Sequence, residues 1–133
     1  RNLSGTAVAT GRALATLLAA VEHPAVGAEW RPADAFQAGE TPSEGLGALI
    51  DASIPVRCVG VRDGRVQGDD WDATYVGAGA VGWEEHLTAL AEARVHAPLV
   101  IDALPSPPRT AGLASATALI RATRRASRAA SRG

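Results

Sequence analysis

Two carboxylates stand at the ends of apolar runs, where an α/β protein places its chemistry. Asp63 follows the run 54–61, and Asp102 closes the run 98–102. A segment with helical periodicity lies between the runs, so together they predict a βαβ unit with parallel strands and a right-handed crossover. In such sheets the functional groups lie at the carboxyl ends of the strands. We therefore expect the site near residues 60–63 and Asp102.

A glycine-spaced loop over residues 75–83 carries a second possible chemistry. Gly77 and Gly79 precede a predicted helix, and backbone N–H groups at a helix start can bind a phosphate. The spacing lacks the dinucleotide and P-loop patterns, which favours the alternative of a plain tight loop.

The other polar candidates are interpreted as structural. Asp69, Asp70 and Asp72 resemble a cation loop, but no Gly and Glu follow at calcium-loop offsets, so a solvated turn is expected. Cys58 is predicted to be a buried, inert thiol. His86 and His96 are predicted on or after an exposed helix face.

The elements that must position these residues alternate between helix and strand. Apolar periodicity predicts helices from about Thr6 to Glu22 and from Trp83 to Arg94. Thr41 and Glu44 form a capping box that begins a helix running to about Ala52. A strand is predicted at 25–31, and a short helical turn follows at 33–38. Residues 62–82 are predicted to form a long loop, and residues 104–109 a connection. A last helix is predicted to be capped by Thr110, with Leu113, Leu119 and Ile120 facing inward. In the strand at 25–31, alternation places Gly27, Glu29 and Arg31 on one face and Val26, Ala28 and Trp30 on the other.

Charge is unevenly distributed along the chain. Residues 1–120 hold 8 Arg and all 14 acids, whereas residues 121–133 hold 5 Arg and no acid. Arg121, Arg124, Arg125, Arg128 and Arg132 recur at helical spacing and form one basic stripe. The stripe lacks aromatic residues for base stacking, so a solvated terminal helix is favoured over nucleic-acid binding.

The remaining composition restricts the class of protein. One Cys excludes an internal disulfide and a cysteine-rich metal site, and no apolar run has the length of a membrane span. A cytoplasmic location is expected. The chain begins with Arg1 and contains no Met, which indicates a piece of a longer protein.

Several segments resemble the C-terminal half of the sugar phosphate isomerase/epimerase family, whose members are xylose isomerase-like TIM barrels. Val76-Gly77-Ala78-Gly79-Ala80-Val81-Gly82-Trp83 is similar to its Leu-Gly-Glu-Gly-x-Val-Asp-Trp loop. Val59-Gly60-Val61-Arg62-Asp63 is similar to its Val-His-Val-Lys-Asp strand end. Residues 26–34, followed by Ala38-Gly39-Glu40, are similar to a family strand that ends in Asp-x-x-His and is followed by Ala-Gly. Residues 99–102 are similar to the family's terminal strand, which ends in Glu.

The resemblance covers roughly residues 6–104 and implies an α/β fold, a partial TIM (β/α)8 barrel. It comprises about the last three βα units plus a preceding helix, with parallel strands. Residues 1–120 would be the C-terminal part of a TIM-barrel domain, and residues 121–133 a basic helix end or tail. Three strands cannot close a barrel, so the missing N-terminal half or self-association is expected to complete the sheet.

The family holds a divalent metal (Mn, Mg, Zn or Co) with two Glu, an Asp and a His. The first Glu would lie in the absent half, and the other three ligand positions hold Arg31, Gly60 and Asp102. Asp34 stands where the family has its substrate-binding His. Only Asp102 keeps ligand chemistry, so the resemblance predicts a metal site that is largely replaced.

A guanidinium in the position of the metal ligand suggests two outcomes. Arg31 could bridge Glu29 and Asp102 and stabilise an enediolate-like oxyanion, with Asp34, Asp102 or Glu29 as the base. The protein would then transfer a proton on a small sugar, keto sugar or polyol. Substrate-binding roles are assigned to Asp63, Gly77, Gly79 and Trp30. In the alternative, the cluster is a satisfied ion-pair network in a catalytically inactive binding or scaffold barrel.

Overall fold

The computed structural model describes residues 1–68, 70–101 and 108–131. Its elements in chain order are α1 (Gly11–Val21), β1 (Ala28–Trp30), α2 (Pro32–Gln37), α3 (Pro42–Asp51), β2 (Val56–Val61), β3 (Asp63–Gln67), β4 (Asp70–Thr74), α4 (Trp83–Glu92), β5 (Leu99–Ile101) and α5 (Pro108–Ala130). Within these ranges, no helix has the length and apolar character needed to cross a membrane.

Three short strands form one sheet in the order β1-β2-β5. β1 and β2 are parallel, and their register shifts by one residue between Ala28 and Glu29. The amide of Val59 donates to the carbonyl of Pro98 over 2.9 Å, next to β5. Helices alternate with these strands along the chain, so the α/β class and the parallel strands are confirmed.

The chain divides into two compact units. The first comprises Arg1–Gly60 and Ala97–Val100, and the second Val61–His96 and Ile101–Gly133. In the first unit α1 and α2 pack against α3, and α1 also contacts β1. Leu14 of α1, Trp30 of β1 and Leu49 of α3 are fully buried.

Close packing in the first unit depends on two glycines. A Cβ at Gly11 of α1 would overlap the backbone of Gly45 in α3, so glycine lets these helices touch.

The predicted capping box at the start of α3 is confirmed: the Glu44 amide donates to Thr41 Oγ1, and the Thr41 amide to Glu44 Oε2. The Thr41 hydroxyl also donates to that carboxylate and lowers the pKa of Glu44.

In the second unit, α4 and α5 pack on each other beside an antiparallel hairpin of β3 and β4. The prediction of a long loop at 62–82 is therefore wrong over residues 63–67 and 70–74. Both strands of the hairpin are short, and five of their ten residues are exposed, so they lack the apolar run that marks β2. Gly68, with φ of 62°, allows the turn between them.

Three helix predictions also need correction. α1 begins at Gly11 rather than at Thr6, because Thr10 caps it by accepting a hydrogen bond from the amide of Ala13. α5 begins at Pro108, so Thr110 is not its cap. Leu119 is buried as predicted, but Leu113 and Ile120 are exposed. Besides Leu119, the inward face of α5 has the small residues Ser115, Ala122 and Ala126.

Candidate active site

Arg31 connects the end of β1 to the start of α2, in the first unit. It follows the last strand residue and stands at the N-cap position of α2. Its side chain is only 11% exposed, and its Nε lies 2.9 Å from Oδ2 of Asp34. Its Nη1 lies 3.5 Å from Oε1 of Glu29, and Arg1 approaches the same oxygen to 3.7 Å. Arg31 therefore pairs with both Glu29 and Asp34. The predicted bridge from Arg31 to Asp102 involves a residue outside the described part of the chain and stays a prediction.

The N-terminal segment fixes this cluster in place. Asn2 is completely buried; its Oδ1 accepts from the Arg31 amide over 2.9 Å, and its Nδ2 donates to the Arg31 carbonyl over 2.8 Å. The Ser4 amide donates to Oδ1 of Asp34 over 2.9 Å. Sequence reasoning missed Asn2, because a single Asn 29 residues from its partner leaves no local pattern.

Burial separates the roles that the three side chains can take. The Asp34 side chain is 1% exposed, and its two oxygens accept from Ser4 and Arg31. The Glu29 side chain is 37% exposed, and within the described part of the chain its ion pairs are the longer contacts to Arg31 and Arg1. Asp34 therefore holds the guanidinium, whereas Glu29 is the more accessible of the two carboxylates.

The described residues do not fit the divalent metal that the resemblance implies. No group of three His, Cys, Asp or Glu side chains in this part of the chain could hold a metal ion. At one matched position Arg31 already pairs with two carboxylates, and at another Gly60 has no side chain. Asp102, the matched position with ligand chemistry, lies outside the described residues.

The carboxylate of Asp63, in the second unit, accepts hydrogen bonds from the backbone amides of the glycine loop. Its side chain is nearly completely buried; Oδ2 accepts from the amides of Gly77 (2.7 Å) and Gly79 (3.2 Å), and Oδ1 from those of Gly64 (2.8 Å) and Val81 (3.3 Å). A Cβ at Gly79 would overlap this carboxylate. The donors that a phosphate would use are therefore taken by the protein's own anion.

Four predicted substrate-binding residues are thus corrected. Asp63, Gly77 and Gly79 hold the loop together, which agrees with the tight-loop alternative. Trp30 is fully buried, and its indole lies against Gly45 of α3, so it belongs to the core.

The remaining candidates occupy other parts of the molecule. Cys58 is half-buried in β2, and Asp70 and Asp72 lie exposed on the hairpin; Asp69 falls outside the described residues. Arg121, Arg124, Arg125 and Arg128 are exposed on α5, and Arg125 pairs with Glu84 of α4. Arg132 also falls outside the described residues.

His86 is buried, contrary to the prediction of an exposed helix face. Its ring lies edge-on to Trp83, with centroids 5.8 Å apart. Burial lowers the pKa of His86 to about 4, from its usual 6.5, because the charged form loses its hydration.

This pKa predicts an acid-sensitive stability. In the folded state the imidazole stays neutral, whereas the unfolded chain takes up the proton as pH falls through 6.5. The free energy of unfolding should therefore decrease between pH 6.5 and about 4, by on the order of 3 kcal/mol. Urea denaturation across this pH range should show a shallower decrease for His86→Gln than for the parent. His96→Gln, at an exposed histidine, is the control; an unchanged slope in His86→Gln would contradict the assignment.

The chain is similar to known proteins at the level of structure. No family model matches the sequence, and no curated protein matches it. A solved structure, the crystal structure of a xylose isomerase domain protein from Planctomyces limnophilus, is similar with a TM-score of 0.68 and 26% sequence identity. The alignment covers 86% of this chain and 41% of that chain, so the chain spans less than half of the solved protein's length.

Proposed function

Since the chain has the fold of part of a xylose isomerase-like TIM barrel, we propose that it acts in a sugar isomerase or epimerase that transfers a proton on a small sugar, keto sugar or polyol. The observation that carries the proposal is the pairing of Glu29, partly exposed, with the buried guanidinium of Arg31 at the end of β1. A carboxylate beside a fixed cation is the minimum needed to remove a proton next to a carbonyl group.

The proposed reaction uses each member of the cluster differently. Glu29 accepts a proton from the carbon beside the carbonyl group, and the electron pair moves onto the carbonyl oxygen to give an enediolate. Arg31 stabilises that oxygen. In isomerisation the proton returns to the former carbonyl carbon, while the proton of the adjacent hydroxyl group moves to the oxygen beside Arg31, so that the carbonyl and hydroxyl groups exchange places. In epimerisation a proton is added to the other face of the carbon that lost it. Asp34 orients Arg31 through the 2.9 Å contact with Nε. The role of Asp102 as a second carboxylate stays a prediction.

Solvent exchange tests this assignment. In D2O the parent protein should replace the carbon-bound hydrogen next to the carbonyl of a keto sugar by deuterium, which NMR measures directly. Glu29→Gln should slow the exchange by about 100-fold or more, because the amide cannot accept the proton. Glu92→Gln, at an exposed glutamate in the second unit, should leave the rate unchanged.

A second candidate function is a binding or scaffold barrel without catalysis. It is favoured by the complete pairing of Asp34 and by the low exposure of Arg31, since ion-pair networks of this kind also occur in non-catalytic interiors. Binding of the keto sugar without any deuterium incorporation would select this function over the first.

Completion of the sheet remains a prediction under either function. β1 and β5 are the outer strands of the described three-stranded sheet. Together with the 41% coverage of the solved chain, this arrangement supports further βα units beside them.

A further inference from the structure

A cavity of about 400 Å³ lies within the second unit. One wall is the start of the glycine loop, with Tyr75 and Val76, and the other is α5, with Ala118, Arg121 and Ala122. We propose that this cavity binds a small compound that has an apolar body and one acidic group, a carboxylate or a phosphate.

The shape of the cavity follows from side-chain size. α5 presents alanine at 114, 118 and 122, one turn apart, so this face of the helix leaves open space instead of filling it. Val76 and Trp83 close the floor and are buried, while the Tyr75 ring is partly exposed at the edge. A volume of this size lies within the range of small-ligand sites and accepts a flat body such as two fused rings.

The charge at the cavity selects an anion. Arg125 pairs with Glu84, and both line the cavity, so their charges offset each other. Arg121 lines the same cavity, is exposed, and has no hydrogen bond or ion pair with the described residues. One guanidinium thus remains to receive an acidic group, and it can bind a carboxylate or phosphate through two parallel hydrogen bonds.

Calorimetric titration with three probes of one shape tests the proposal. 2-Naphthoate and 2-naphthyl phosphate should bind with one site per chain, whereas the uncharged 2-naphthalenemethanol should bind at least about tenfold more weakly. The ratio of the first two affinities identifies whether the acidic group is a carboxylate or a phosphate.

Matched variants separate the two features of the site. Arg121→Gln should weaken 2-naphthoate binding about tenfold, and Ala118→Leu, which fills the cavity, should abolish it. The controls Arg124→Gln and Ala129→Leu make the same changes on exposed positions of α5 that do not line the cavity.

Two results would overturn the proposal: equal affinity for the charged and uncharged probes, or an unchanged affinity in Arg121→Gln. These readouts stay decisive if Ala118→Leu fails to fold. They are also independent of the proposed function, because Glu29→Gln should bind 2-naphthoate as the parent does.

Discussion

Asp63→Ala is expected to lose about 3–5 kcal/mol of the free energy of unfolding. The substitution removes the acceptor of four backbone amides, three of them in the loop that leads into α4. A buried N–H group left without an acceptor costs about 1–3 kcal/mol, and water entering the space offsets part of that cost. The loss is comparable with the total stability of a small domain.

Urea denaturation measures this loss against a matched variant. Asp72→Ala removes the same group from an exposed position of the hairpin and should change stability by less than about 0.5 kcal/mol. Gly79→Ala should be destabilising like Asp63→Ala, since its Cβ would displace the carboxylate. Equal stability of Asp63→Ala and Asp72→Ala would show that the loop does not depend on this anion.

Arg31→Met is expected to cost about 3–5 kcal/mol, because it leaves the Asp34 carboxylate buried without its cation. The double variant Arg31→Met/Asp34→Asn should recover at least half of that loss, since the neutral amide needs no counter-charge and can still accept from the Ser4 amide.

Thermal and urea denaturation of the four members of this cycle give the coupling energy directly. Arg12→Met, at an exposed arginine of α1, controls for the loss of a guanidinium as such. A double variant as unstable as Arg31→Met would mean that the charge of Asp34 is not what makes the single substitution costly.

Local rules predict much of the fold and part of the candidate site. The Thr41 and Glu44 capping box and the alternation that puts Glu29 beside Arg31 depend on residues close in sequence, and both are found in the structure. The hairpin has no apolar run like that of β2, because β3 contains Arg65 and Gln67 and β4 contains Asp70 and Asp72.

Long-range contacts account for most of what sequence reasoning missed. Asn2 meets Arg31 across 29 residues, and Asp63 meets Gly77 across 14. The burial of His86, by contrast, agrees with the spacing of its own helix, because Trp83, His86, Leu87 and Leu90 are positions i, i+3, i+4 and i+7 and form the buried face. Asn2 and Asp63 are polar side chains buried by partners that only the three-dimensional fold brings together.

The proposal that a guanidinium replaces the metal ion is tested most directly by deuterium exchange into a keto sugar after treatment with a chelator. The proposed function predicts that the chelated parent protein exchanges at its full rate and that chelated Glu29→Gln does not. Exchange that disappears on chelation and returns with manganese or magnesium would contradict it.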